Sequence, residues 1–245
     1  MPVSNARRDF ERNFADVDRL VDLHDTLVSI EEPEPDETPP DFSEHKEVVL
    51  KSAIVLMVSF WEAYVEDICA EAIEHLVASM PTSEALPKEL KKQIATEIAA
   101  DKNELRMWDL ADAKWKEFVH ARLSQYCDQR NWKFNSPKAE PTAVFLRRHL
   151  GIEDVTKSWT FEKLDSQHCR RKLDEIVEVR GAIAHRGKAP KKITLDLAKA
   201  YADFLKRIIS KTGGVVNAHV KRICGTGIFK ANKPRISSDC EAVGD

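Results

Sequence analysis

An arginine and a histidine, Arg180 and His185, stand five residues apart in the stretch Ile176 to Gly187, IVEVRGAIAHRG. Histidine takes up and releases protons near neutral pH. Arginine stays charged and offers a planar fork of donors that matches phosphate oxygens. Together they are parts for cutting RNA without a metal. In that reaction the 2′-hydroxyl attacks the adjacent phosphorus, a base takes its proton, an acid protonates the leaving oxygen, and cationic donors hold the pentavalent phosphate. A single R-x4-H provides only one histidine; a two-fold dimer that brings two copies together would provide the second. Taken alone the spacing is a weak signal, because it arises by chance in many chains. A protonated histidine at a helix end also serves simply by meeting the helix dipole.

The elements that must position this pair begin with a long amphipathic helix, predicted over Lys163 to His185. With Leu173 on the inner face, the 3.6-residue period brings Ile176, Val177, Arg180 and Ala184 onto the same stripe. Arg180 thus occupies a position the pattern reserves for an apolar side chain, and a charge there is costly unless paired, hydrated or used. His185 falls on the flank, roughly 140° round and about 7.5 Å along the axis, a gap that an arginine side chain can cover. Gly187 and Pro190 end the helix in a turn holding Arg186, Lys188, Lys191 and Lys192. That turn reads either as a solvated surface or as a patch that steers an RNA backbone. Thr194 caps a further helix with Leu195, Ala198, Tyr201, Ala202, Leu205 and Ile209 on one face, and Gly213-Gly214 is predicted to stop it.

Upstream, residues 1–30 read as an N-terminal amphipathic helix with Phe10, Phe14, Val17, Val21, Leu27 and Val28 close to one face. Residues 31–43, beginning EEPEPDETPPD, form an acidic, proline-rich linker. The main helical domain is expected over 44–212, and 213–245 is a weakly patterned appendage, ordered only if it docks. The longest helix, Glu44 to Met80, is apolar nearly all round from Val48 to Trp61, then carries Tyr64, Val65, Ile68, Ala72 and Leu76 inward. Glu62 lies beside that stripe; it is either a solvated or capping residue or the group that orients Arg180 and His185. Pro81 ends this helix. Shorter helices follow over Lys88 to Ala100 and Leu110 to Gln129, then a loop over Asn131 to Pro141 and a helix Thr142 to Leu150 capped by Gly151. Trp108, Trp115, Trp132 and Trp159 read as packing residues, with Trp132 the one expected at the surface.

Composition agrees with an all-α domain. Only 8 of 245 residues are glycine, and 42% hydrophobic with 32% charged residues suits a globular chain. The net charge of −3 excludes a protein coated in basic residues, so any contact with nucleic acid must come from a local patch. The cysteines at 69, 127, 169, 224 and 240 form no CxxC pair and no metal-like spacing, which suits the cytoplasm. No glycine-rich phosphate loop is present, and no metal or other cofactor is expected. No secretory signal opens the chain, and the most apolar run, Ser52 to Trp61, is too short to span a bilayer.

Three blocks together resemble one family. SFWEAYVEDICAEAIEHL (59–76), FNSPKAEPTAVFLRRHLGI (134–152) and the R-x4-H stretch are similar, in content and in order, to the RiboL-PSP branch of the HEPN superfamily. The resemblance implies an all-α HEPN-like bundle of about six or seven helices working as a homodimer. It also implies Arg180 and His185 as the catalytic pair of a metal-independent endoribonuclease at the dimer interface. RNA is the implied partner, steered by Arg186, Lys188, Lys191 and Lys192, in a toxin–antitoxin or phage-defence setting with an antitoxin or defence-system partner. A non-catalytic HEPN module binding RNA or nucleotide at the same cleft, and a helical interaction scaffold, are the rival readings. Two departures stand out: Gly181 replaces the polar residue that often follows the arginine, and Gly187 stands where some HEPN toxins carry a tyrosine that a partner enzyme modifies.

Overall fold

The computed structural model describes residues 2–30, 41–129, 134, 136–161 and 164–230. Most of the predicted linker (31–40), Trp132 and the end of the appendage (231–245) lie outside the described residues. Among those described, the chain forms seven α-helices with three short 3₁₀ segments and no strand: α1 (Asn5–Ile30), α2 (Ser43–Ser79), α3 (Lys88–Ala99), α4 (Lys114–Gln129), α5 (Ala139–Leu150), α6 (Ser166–Arg186) and α7 (Leu195–Cys224).

α2 is the axis of the bundle. Asp41 starts it by accepting the Ser43 backbone N–H at 2.9 Å, and Pro81, lacking an N–H, cannot extend it past Met80. Because it is apolar on several sides, it can bury contacts against α1, α7, α6, α5 and α4 at once. Ile54, Met57, Trp61, Ile68, Ile73 and Leu76 are almost fully buried. Its polar ring atoms are used as ties: Trp61 Nε1 donates to the Pro137 carbonyl at 2.8 Å and Tyr64 Oη to the Ile209 carbonyl at 3.2 Å. The apolar character extends beyond the ten-residue run. By length and composition α2 is long and apolar enough to cross a membrane; in this fold a little under half of its most apolar stretch is buried in the core.

The helix bearing the R-x4-H motif starts three residues later than its pattern suggests, at Ser166, because the Asp165 carboxylate accepts the His168 N–H at 2.8 Å as an N-cap. It stops at Gly187, whose φ of 66° is readily adopted by glycine and whose N–H returns to the Ile183 carbonyl at 2.9 Å.

Three expectations are overturned. Gly213 and Gly214 do not stop α7; it runs on to Cys224, burying Val216 and Val220 and ending at Gly225. A Cβ on Gly213 would sit 2.6 Å from the Tyr64 hydroxyl, so the residue is small because α7 and α2 meet there. Ala184 is exposed and Ile183 takes its place in the buried stripe of α6. Trp108 is 66% exposed on the 3₁₀ segment Glu104–Leu110, whereas Trp115 and Trp159 are buried.

Candidate functional site

The site lies along the seam where the last two turns of α6 run beside the first half of α2. Arg180 enters from α6 on the buried stripe, where the core opens, and its side chain is 26% exposed. Its Nη2 donates to Glu62 Oε2 of α2 at 2.9 Å. Its Nε is buried and has no hydrogen-bond partner among the described residues. What an incoming anion can meet is the exposed quarter of the guanidinium, which the single bond to Glu62 does not use up. Glu62 is therefore neither merely solvated nor a cap: it anchors the arginine from the neighbouring helix.

His185 occupies the last turn of α6 and is exposed. No hydrogen bond joins it to Arg180 among the described residues. The arginine turns toward Glu62 across the seam instead of bridging along its own helix. Beyond His185, Arg186 and Lys188 are exposed cations, and Lys192 lies close enough to Glu47 of α2 to favour its ionised form. Lys191 departs from the expected group of steering cations. It pairs with Glu175, which also accepts the Tyr201 hydroxyl at 3.0 Å. Those hydrogen bonds hold the Glu175 carboxyl below its usual range and raise the lysine above its own.

Sequence reasoning missed Lys51. Its ammonium donates to the Gly187 carbonyl at 2.9 Å and pairs with Glu47 at 2.6 Å. Through the hydrogen bond first, and its charge second, it keeps the Glu47 carboxyl below the usual range. The signal was present: Lys51 is the one charge between Val48 and Trp61, a lone cation on a core helix, as Arg180 is on α6.

Gly181 faces open space: a Cβ at that position would meet no neighbouring atom within 4 Å, so packing does not demand its small size. Among the described residues no cluster of three or more His, Cys, Asp or Glu is placed to hold a metal ion. Two clefts lie elsewhere: one of about 480 Å³ lined by Leu86, Ile94, Leu110 and Trp115, and one of about 550 Å³ lined by Arg7, Tyr64, Gly213 and Phe229.

The all-helical bundle is consistent with a HEPN domain. The sequence model of the family described as RiboL-PSP-HEPN matches residues 12–217, most of the chain, and the chain belongs to that family. The match takes in most of α1. No curated relative and no solved structure matches.

Proposed function

We propose that this protein is a metal-independent endoribonuclease acting as a homodimer. The observation that carries the reading is the guanidinium of Arg180, fixed by Glu62 at one nitrogen while part of the side chain stays open to solvent. Arg180 donates to a non-bridging oxygen of the scissile phosphate and stabilises the charge that builds there. His185 takes the proton of the attacking 2′-hydroxyl, and the histidine of the second copy protonates the leaving 5′-oxygen. The products are a 2′,3′-cyclic phosphate and a free 5′-hydroxyl. Arg186, Lys188 and Lys192 attract the RNA backbone.

A seat for the second copy runs beside Glu62 on α2, where Val48 is 59% exposed and Ser52, Val55 and Ser59 are half-buried. These side chains spaced three and four residues apart form one smooth stripe. Action in the cytoplasm, as a toxin or in phage defence, is the setting that the family suggests.

Purified protein is incubated with RNA in the presence of a chelator, and His185→Ala is compared with the wild type. Retained RNA binding with cleavage reduced about a thousandfold is the expected result. Cleavage that disappears with the chelator, or persists in His185→Ala, rejects this chemistry. The Arg180–Glu62 bond supports a second reading, a scaffold in which the arginine only ties two helices; global unfolding of an Arg180 variant would favour it.

A further inference from the structure

A lysine with only 19% of its side chain exposed, on a helix otherwise devoted to the core, needs a partner. Lys51 has two: Glu47, one turn earlier on α2, and the Gly187 carbonyl, 136 residues away at the end of α6. The last carbonyls of a helix lack partners within it and carry partial negative charge, so a cation there is favourable. Glu47 balances the lysine and also faces Lys192, which joins the basic turn to the same cluster.

Lys51 and Glu62 are eleven residues apart on α2, close to three full turns, so they lie on one face. Their partners on α6, Gly187 and Arg180, lie two turns apart in the opposite order along the chain. The antiparallel helices are thus pinned at two polar points, and His185 lies between the pinned positions on α6. Arg180 is fixed by Glu62 directly. His185 has no such anchor among the described residues and depends on the helix end that Lys51 holds.

We propose that Lys51 is a positioning residue. By holding the Gly187 carbonyl it sets the last turn of α6, and with it the placement of His185 relative to the Arg180–Glu62 pair. Its effect on catalysis rests on the nuclease reading above; the fixing of the helix end does not.

Lys51→Met keeps most of the aliphatic stem and removes the donor, whereas Lys51→Arg keeps a cation of similar reach. Hydrogen exchange is followed residue by residue in both variants, together with steady-state cleavage of an RNA oligonucleotide. In Lys51→Met, amides from 184 to 188 exchange about tenfold faster while those in the middle of α2 and α7 are unchanged. Cleavage loses about tenfold in kcat with KM changed less than twofold, and Lys51→Arg recovers most of both. Unchanged exchange at 184–188, or faster exchange with kcat intact, overturns the proposal. A rise in KM alone would make Lys51 an RNA contact, and loss of protection throughout the bundle would make it a general folding residue; either result also overturns it. If wild-type protein cuts no RNA and Lys51→Met still loosens only the turn, the nuclease reading fails and the pin stands.

Discussion

Two places in this bundle hold an arginine, a glutamate and a histidine, and they treat them in opposite ways. Toward the C-terminal end of α2, Arg122 of α4 is 6% exposed and grips both oxygens of Glu97 of α3, at 2.7 and 2.8 Å. It also donates to Gln93 at 3.0 Å. Near it His149 of α5 is buried, and burial first, then the charges of Arg122 and Arg148, push its pKa down to about 3. At the α2–α6 seam, Arg180 makes one bond to Glu62, keeps a buried donor unused, and has an exposed histidine five residues further along. The first arginine spends its donors on architecture, tying α3 to α4. The second is held in place with donors to spare, and its histidine is exposed.

The sharpest way to break that contrast is to remove each guanidinium in turn. Arg180→Met should lower RNA cleavage about a thousandfold while shifting stability by less than about 1 kcal/mol, because the pair it breaks is partly hydrated. Arg122→Met should leave cleavage intact but cost about 2 kcal/mol, a fall in Tm of about 4–8 °C, because Glu97 loses this cation at a partly buried site. Cleavage assays and thermal melts on both variants decide the matter. Equal destabilisation with no specific loss of activity in Arg180→Met would reduce the seam to a second structural tie.

The buried histidine of the first place gives the fold a pH dependence. With an unfolded pKa near 6.5 and a folded pKa of about 3, His149 is neutral in both states above pH 6.5 and has no effect there. As the pH falls below 6.5 only the unfolded chain takes up the proton, so stability is lost progressively, by about 3 kcal/mol at pH 4. His219, half-buried and also shifted down chiefly by burial, acts in the same direction. Urea titrations at pH 7 and pH 4 should show His149→Gln losing about 3 kcal/mol less than the wild type on acidification. Carboxylates protonated over that range affect both proteins alike.

How much of this could be read from the chain follows from where the signals are local. α2 was legible because its apolar residues continue past one face, and α6 because Leu173, Ile176 and Val177 recur at helical spacing while Arg180 interrupts them. The end of α7 was not. Two adjacent glycines cost a helix about 2 kcal/mol in propensity, and that local term suggested a stop. Tertiary packing overrode it: Val216 and Val220 continue the buried face of Ile209, and Gly213 gives room to the Tyr64 hydroxyl. For the candidate site, residue types singled out Arg180 and His185 and left Glu62 open, but the direction of a long side chain is set by its neighbours. Arg180 is long enough to reach along its own helix yet crosses to α2, and Lys191, grouped with the steering cations, pairs with Glu175. Contacts between residues 51 and 187 leave no trace in spacing.

The smallest effect refines the comparison at the carboxylates. Glu62→Gln keeps the shape and an acceptor for Arg180 Nη2 but removes the charge; both partners are about a quarter exposed, so stability should move by less than about 0.5 kcal/mol. Cleavage should fall about fivefold, because the guanidinium is held less firmly and its best orientation is populated less. Glu97→Gln removes the charge and one of the two acceptors that Glu97 offers a buried arginine, and should cost about 1–2 kcal/mol with cleavage unchanged. The two variants make the same chemical change on one arginine each, so chemical denaturation beside initial cleavage rates separates an anchor that serves a reaction from one that serves the fold. Glu62→Gln with full activity and a loss of stability matching Glu97→Gln would place both glutamates in the second class.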